Sequence, residues 1–246
     1  FLVDGVGAWI ILPVSLGVSL VNVLLISVFP KAEGASRRGE RQGAQAVGLV
    51  EFARRNRRFM AAVLSVVLLY FSHVLINTYT IQIVKNVGGA NSDMGIASAL
   101  GGFLELPAMA LFPFLLKRVK SAGAILKLSG VFFVLKALLT LLAPSMPVFY
   151  AAQCLQFFAF AMFVPASVYY TDRVVGGADQ VKGQATMGMA AIISGMLGNA
   201  AGGFLLDAGG VKLMLTVGLA VSVAGLILLL AAAPKDRETL SEEGAS

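Results

Sequence analysis

Long apolar runs separated by short polar blocks set the pattern of this chain. Seven runs of about twenty residues or more stand out, at 6–29, 59–84, 94–116, 122–142, 146–169, 184–206 and 211–232. About 20 helical residues cross the hydrocarbon core of a bilayer, and a helix satisfies its own backbone polar groups there. The pattern predicts an all-α, polytopic helical membrane protein with seven transmembrane helices. One long polar stretch, 31–58, separates the first helix from the other six.

Composition agrees with the pattern. Hydrophobic residues make up 58% of the 246 and charged residues only 13%, against roughly 25% charged in soluble domains. The mean hydropathy is +0.85. The one cysteine, Cys154, sits in an apolar run, so no intrachain disulfide or cysteine metal cluster is possible. The chain begins at Phe1 close to a membrane segment and is expected to be a piece of a longer protein.

Charge fixes an orientation. Lys31, Arg37, Arg38, Arg41, Arg54, Arg55, Arg57 and Arg58 lie in the long polar stretch. Lys117, Arg118 and Lys120 lie in one later loop, Arg173 and Lys182 in another, and Lys235 and Arg237 in the tail. The alternate loops carry little charge. The positive-inside rule then places the 31–58 stretch and the tail in the cytoplasm. Beside a membrane span, the Arg54–Arg58 cluster is expected to set orientation and meet anionic lipid headgroups, and no nucleic-acid partner is expected. Residues 34–43 are expected to be flexible and 44–58 to form an interfacial amphipathic helix.

Polar residues inside the spans are the candidates for function. Tyr70, His73, Asn77 and Thr80 follow at spacings of three, four and three, so they share about 80° of one helix face. That stripe either lines an aqueous cavity or joins helices by hydrogen bonds. His73, the only histidine, is a candidate proton relay or a buried, satisfied ring. Gln153 and Gln156 share a helical face that Phe160 continues, a combination suited to a polar organic solute or to packing. Glu105 stands at the middle of the 94–116 run. An ionised carboxylate at that depth costs about 2.5–3.5 kcal/mol on the lenient insertion scale. It is expected to face water or a ligand as a binding group, a proton carrier or both; the structural alternative is an ion pair with Lys136. Ser98, Gly101 and Gly102 leave space on its side. Gly188, Gly195, Gly198, Gly202 and Gly203 make the 184–206 helix a close-packing one.

The sequence shows no HExxH, no phosphate-binding P-loop and no metal-spaced cluster. No enzyme, metal or cofactor is expected, and the energy source would be a proton gradient.

Three stretches carry a resemblance. "LLKRVKSAGAILKLSG" (115–130), "VKGQATMGMAAIISGMLGNAAGGFLLDAGG" (181–210) and "ELP" (105–107) resemble, in turn, the basic loop between helices eight and nine, the glycine-rich helix eleven, and the helix-eight signature of the proton-linked sugar and nucleoside branch of the major facilitator superfamily. The chain resembles the C-terminal half of such a transporter, with its sugar-efflux relatives included. The resemblance implies 1–30 as the last helix of the N-terminal half, 31–58 as the central cytoplasmic loop, 59–233 as a six-helix bundle and 234–246 as a cytoplasmic tail. It implies a missing N-terminal six-helix half as partner, a bacterial inner membrane, and alternating access around a midplane site. It also implies a peripheral helix nine, away from the cavity. The charged helix-ten cluster of lactose-type transporters is absent. On this reading Tyr70, His73, Asn77, Glu105, Gln153 and Gln156 bind a small polar solute, sugar- or nucleoside-like, and Glu105 and His73 couple protons. The alternatives are a multidrug or sugar efflux permease, or a non-transporting scaffold or receptor that keeps the fold.

Overall fold

The computed structural model describes residues 11–28, 48–175 and 177–232. The chain divides into two compact units, Phe1–Ala46 and Val47–Ser246. In the first, α1 (Ile11–Val28) falls inside the expected 6–29 span; positions 6–10 and 29 lie outside the described residues, as do most of the expected linker and the whole tail.

The second unit is helical throughout its described residues. It comprises α2 (Leu49–Arg55), α3 (Arg57–Thr78), α4 (Thr80–Asn86), α5 (Asn91–Val119), α6 (Ala122–Leu141), α7 (Met146–Cys154), a 3-10 turn (Leu155–Phe157), α8 (Phe160–Val174) and α9 (Gln180–Ala232). Among the described residues five stretches are long and apolar enough to cross a membrane: α3, α5, α6, the segment Met146–Val174, and α9. Large apolar side chains lie open on the outside, among them Phe103, Leu106, Phe114, Ile192, Met196 and Phe204. In water such a surface would aggregate; in lipid it is the stable arrangement.

α9 is two helices in sequence. Backbone at Gly209 and Gly210 leaves the helical region, with Gly210 at φ 69°, ψ −170°, a conformation essentially confined to glycine. The neighbours of the two arms, 180–208 and 211–232, show how they run. Ser194 donates to the Val67 carbonyl at 2.8 Å, Gly198 lies against Val74, and Gly202 against Leu75 and Tyr79. Contacts on α3 thus rise as the first arm advances. Gly218 then meets Leu75 and Ser72, and Gly225 meets Leu68 and Ser65, so contacts fall along the second arm. The arms form a hairpin that holds α3 between them, and glycine is what lets the backbones approach so closely.

α6 adds to the same core through Gly130, which lies against Leu69, Leu226 and Leu229. Its start is capped by Ser121, whose hydroxyl accepts from the Ala124 amide at 3.0 Å. At the first turn of α5, Asp93 accepts from the Ala90 amide and from Tyr150 Oη, both at 2.7 Å, tying α5 to α7. Of the expected interfacial helix 44–58, positions 44–47 lie outside the described residues and Leu49–Arg55 form α2. It is docked by Phe52, 1% exposed, whose ring meets Phe59 edge-on at 6.1 Å.

Two expected spans are interrupted. The run 59–84 breaks at Tyr79, where φ −102°, ψ 25° separates α3 from α4. The run 146–169 breaks in mid-span, with a 3-10 turn at Leu155–Phe157 and Ala159 at φ −73°, ψ −85°. Neither break carries a glycine or proline, the residues by which a sequence announces such interruptions.

Candidate functional site

Both polar candidates on the broken segment sit beside its break. Gln153 is in the last turn of α7 and Gln156 on the 3-10 turn. Unwinding turns Gln156 away from the helical face it was expected to share with Phe160. Phe160 instead opens α8 and stacks on His73, with ring centres 4.7 Å apart and planes 8° apart.

A cavity of about 230 Å³ is lined by Asn77, Thr80, Ala97, Ser98, Gly101, Gly102, Glu105, Gln153 and Gln156. Glu105 lies midway along α5. Ser98, Gly101 and Gly102, within two turns of it, are the small residues that leave the hollow. Space exists at Gly102, where an added Cβ would meet nothing within 4 Å. Four of the six predicted binding residues, Asn77, Glu105, Gln153 and Gln156, are therefore brought to one cavity. Tyr70 and His73 are not in its lining. They belong to an aromatic layer with Phe133, Phe160 and Phe163. The layer is joined to the cavity wall by Asn77, whose Nδ2 donates to His73 Nε2 at 2.8 Å.

A chain of polar groups crosses the wall. Lys136 Nζ donates to Gln156 Oε1 at 2.6 Å. Gln156 Nε2 donates to Glu105 Oε1 at 3.1 Å. Lys136 is 1% and Gln156 4% exposed. The amide thus bridges cation and carboxylate, each end satisfying the partner it suits. The expected structural alternative, a direct Lys136–Glu105 pair, does not occur among the described residues. No residue of α6, the helix in the position expected to be peripheral, lines the cavity, but its buried Lys136 reaches the wall from behind through Gln156. Lys136 is the residue that sequence reasoning left out of the site. The signal for it was present, since it is the only lysine deep within a span.

One donor in the wall is idle. Gln153 is 5% exposed, and its Nε2 has no hydrogen-bond partner. Leaving a buried amide donor unmatched costs about 1–3 kcal/mol, and such a group on a cavity wall is available to a ligand acceptor. Among the described residues no group of histidine, cysteine, aspartate and glutamate is arranged to hold a metal.

Among the described residues, an all-helical bundle with membrane-length helices defines an integral membrane protein. Residues 2–217 match the family described as MFS_1 like, and the chain belongs to that family, which is one of membrane transporters. No curated protein matches the chain.

Proposed function

We propose that the protein is a secondary active transporter of a small polar organic solute, sugar- or nucleoside-like, coupled to protons and working by alternating access. The single observation that carries this reading is a carboxylate midway along a membrane-length helix, Glu105, lining a cavity with three amides, Asn77, Gln153 and Gln156. Carboxylate acceptors and amide donors at hydrogen-bonding reach match the hydroxyl and carbonyl groups of such solutes. The idle Gln153 donor supports a ligand acceptor at that point. An acid that faces a wet cavity can exchange protons with it, which is what coupling requires.

On this reading the chain supplies seven spans of a twelve-helix protein, with the hairpin arms of α9 as the last two. Residues 1–30 end the N-terminal half, 31–58 form the cytoplasmic loop, 59–233 the C-terminal bundle and 234–246 the cytoplasmic tail, in a bacterial inner membrane. The cavity would be completed by the N-terminal half.

The test is uptake and counterflow in proteoliposomes of the full-length protein, across a panel of sugars and nucleosides. Solute-driven proton entry is the expected result. Glu105→Gln is expected to abolish accumulation driven by a proton gradient while counterflow stays measurable. No counterflow with any panel member would leave the scaffold or receptor reading. Accumulation by Glu105→Gln at the wild-type level would end the proton role.

A further inference from the structure

Lys136 poses a question that a binding role for Glu105 leaves open. An ammonium buried within the membrane needs a compensating charge, and its one hydrogen-bond partner among the described residues is a neutral amide. The nearest compensation is Glu105, one amide further on.

We propose that Lys136 is the resident counter-cation of Glu105, acting through Gln156 as an uncharged bridge. The inference rests on the reading of Glu105 as a cavity carboxylate and assigns two positioning residues to it, on two further elements. The bridge has a directional logic. The amide carbonyl can only accept, so it faces the ammonium; the amide nitrogen can only donate, so it faces the carboxylate. The two charges are balanced without contact, and one carboxylate oxygen, Oε2, has no hydrogen-bond partner within the bridge. A direct ion pair would occupy Glu105 more fully and hold it against the wall. The bridge instead keeps the charge sum at zero while the acid stays on the cavity surface. Placement of Gln156 on the 3-10 turn, not on a continuous helix, is what lets its short arm reach both α5 and α6.

The test needs no solute. Melting temperatures of the full-length protein in detergent micelles are measured for Glu105→Gln, Lys136→Met, Gln156→Leu and the double variant Glu105→Gln/Lys136→Met. Removing one partner of a buried charge pair is strongly destabilising. For a protein of this size Glu105→Gln is expected to melt roughly 10 °C lower. The double variant removes both charges and is expected to melt well above Glu105→Gln alone, although it carries one more substitution. Gln156→Leu is expected to fall as Glu105→Gln does. Additive losses in the double variant would overturn the proposal, as would a Gln156→Leu protein that melts with wild type. Where a single variant cannot be recovered from membranes, recovery of the double variant is the same result, and its failure overturns the proposal. Compensation in melting with no transport of any panel solute would sink the transport reading alone.

Discussion

Gly225 gives the sharpest test of the packing. It sits on the second arm of α9, and a Cβ there would lie 2.9 Å from Leu68 Cβ, 3.0 Å from the Ser65 carbonyl oxygen and 3.1 Å from the Leu69 amide nitrogen. Two of these three atoms are backbone of α3 and cannot rotate aside. Gly225→Ala therefore pushes two helices apart. Overpacking of this kind costs about 1–3 kcal/mol, and the better helix propensity of alanine returns up to about 1 kcal/mol. The net loss is about 1 kcal/mol. Gly225→Leu adds three more carbons to the same gap without further helix gain and is expected to lose about 3 kcal/mol or more. At roughly 2–4 °C per kcal/mol for a chain of this size, and about half that for a twelve-helix protein, the leucine variant melts about 5 °C below wild type and the alanine variant about 2 °C below. Thermal unfolding of full-length protein in micelles, followed by the circular dichroism of the helices, measures both. A leucine variant that melts within about 1 °C of wild type would refute the seating of this arm on α3.

Two further substitutions probe the site and the rim. Gln153→Met removes a buried donor that has no partner, so the solute-free protein is expected to melt no lower than wild type while uptake of the panel solute falls; a stability loss with uptake intact would contradict the ligand-facing role. Phe52→Ala deletes a side chain buried against Phe59 and is expected to cost about 3 kcal/mol locally. Hydrogen exchange across 49–55 should then quicken strongly while α3 stays protected, and unchanged exchange would show that α2 is held by something else.

The sequence makes the spans legible because a membrane imposes one requirement, unbroken apolar length, that composition records directly. The corner at Gly209–Gly210 is legible for the same kind of reason: a gap between two apolar runs coincides with the two residues that can make it. The mid-span breaks at Tyr79 and at Leu155–Phe157 are not. They carry no glycine or proline, and what stabilises them is tertiary: Tyr79 Oη donates to the Asn199 carbonyl at 2.9 Å, and Phe160 stacks on His73. The site divides similarly. Glu105, Asn77 and the two glutamines stand out as polar residues in apolar surroundings, and they do meet at one cavity. Treating Gln153, Gln156 and Phe160 as one regular helical face sent Phe160 to the wrong surface. The link from Lys136 to Gln156 was not legible, because a bridge between side chains on separate elements leaves no spacing pattern along the chain.

The two-residue corner of α9 has a mechanical consequence. With no slack between its arms, neither can shift lengthwise without dragging the other, and both are keyed onto α3 through glycines, meeting at Leu75. Those three helices must travel as a single stiff beam. On the transport reading, α5 and the interrupted α7–α8 segment, which carry Glu105 and the two glutamines, are the elements left to open or close the cavity.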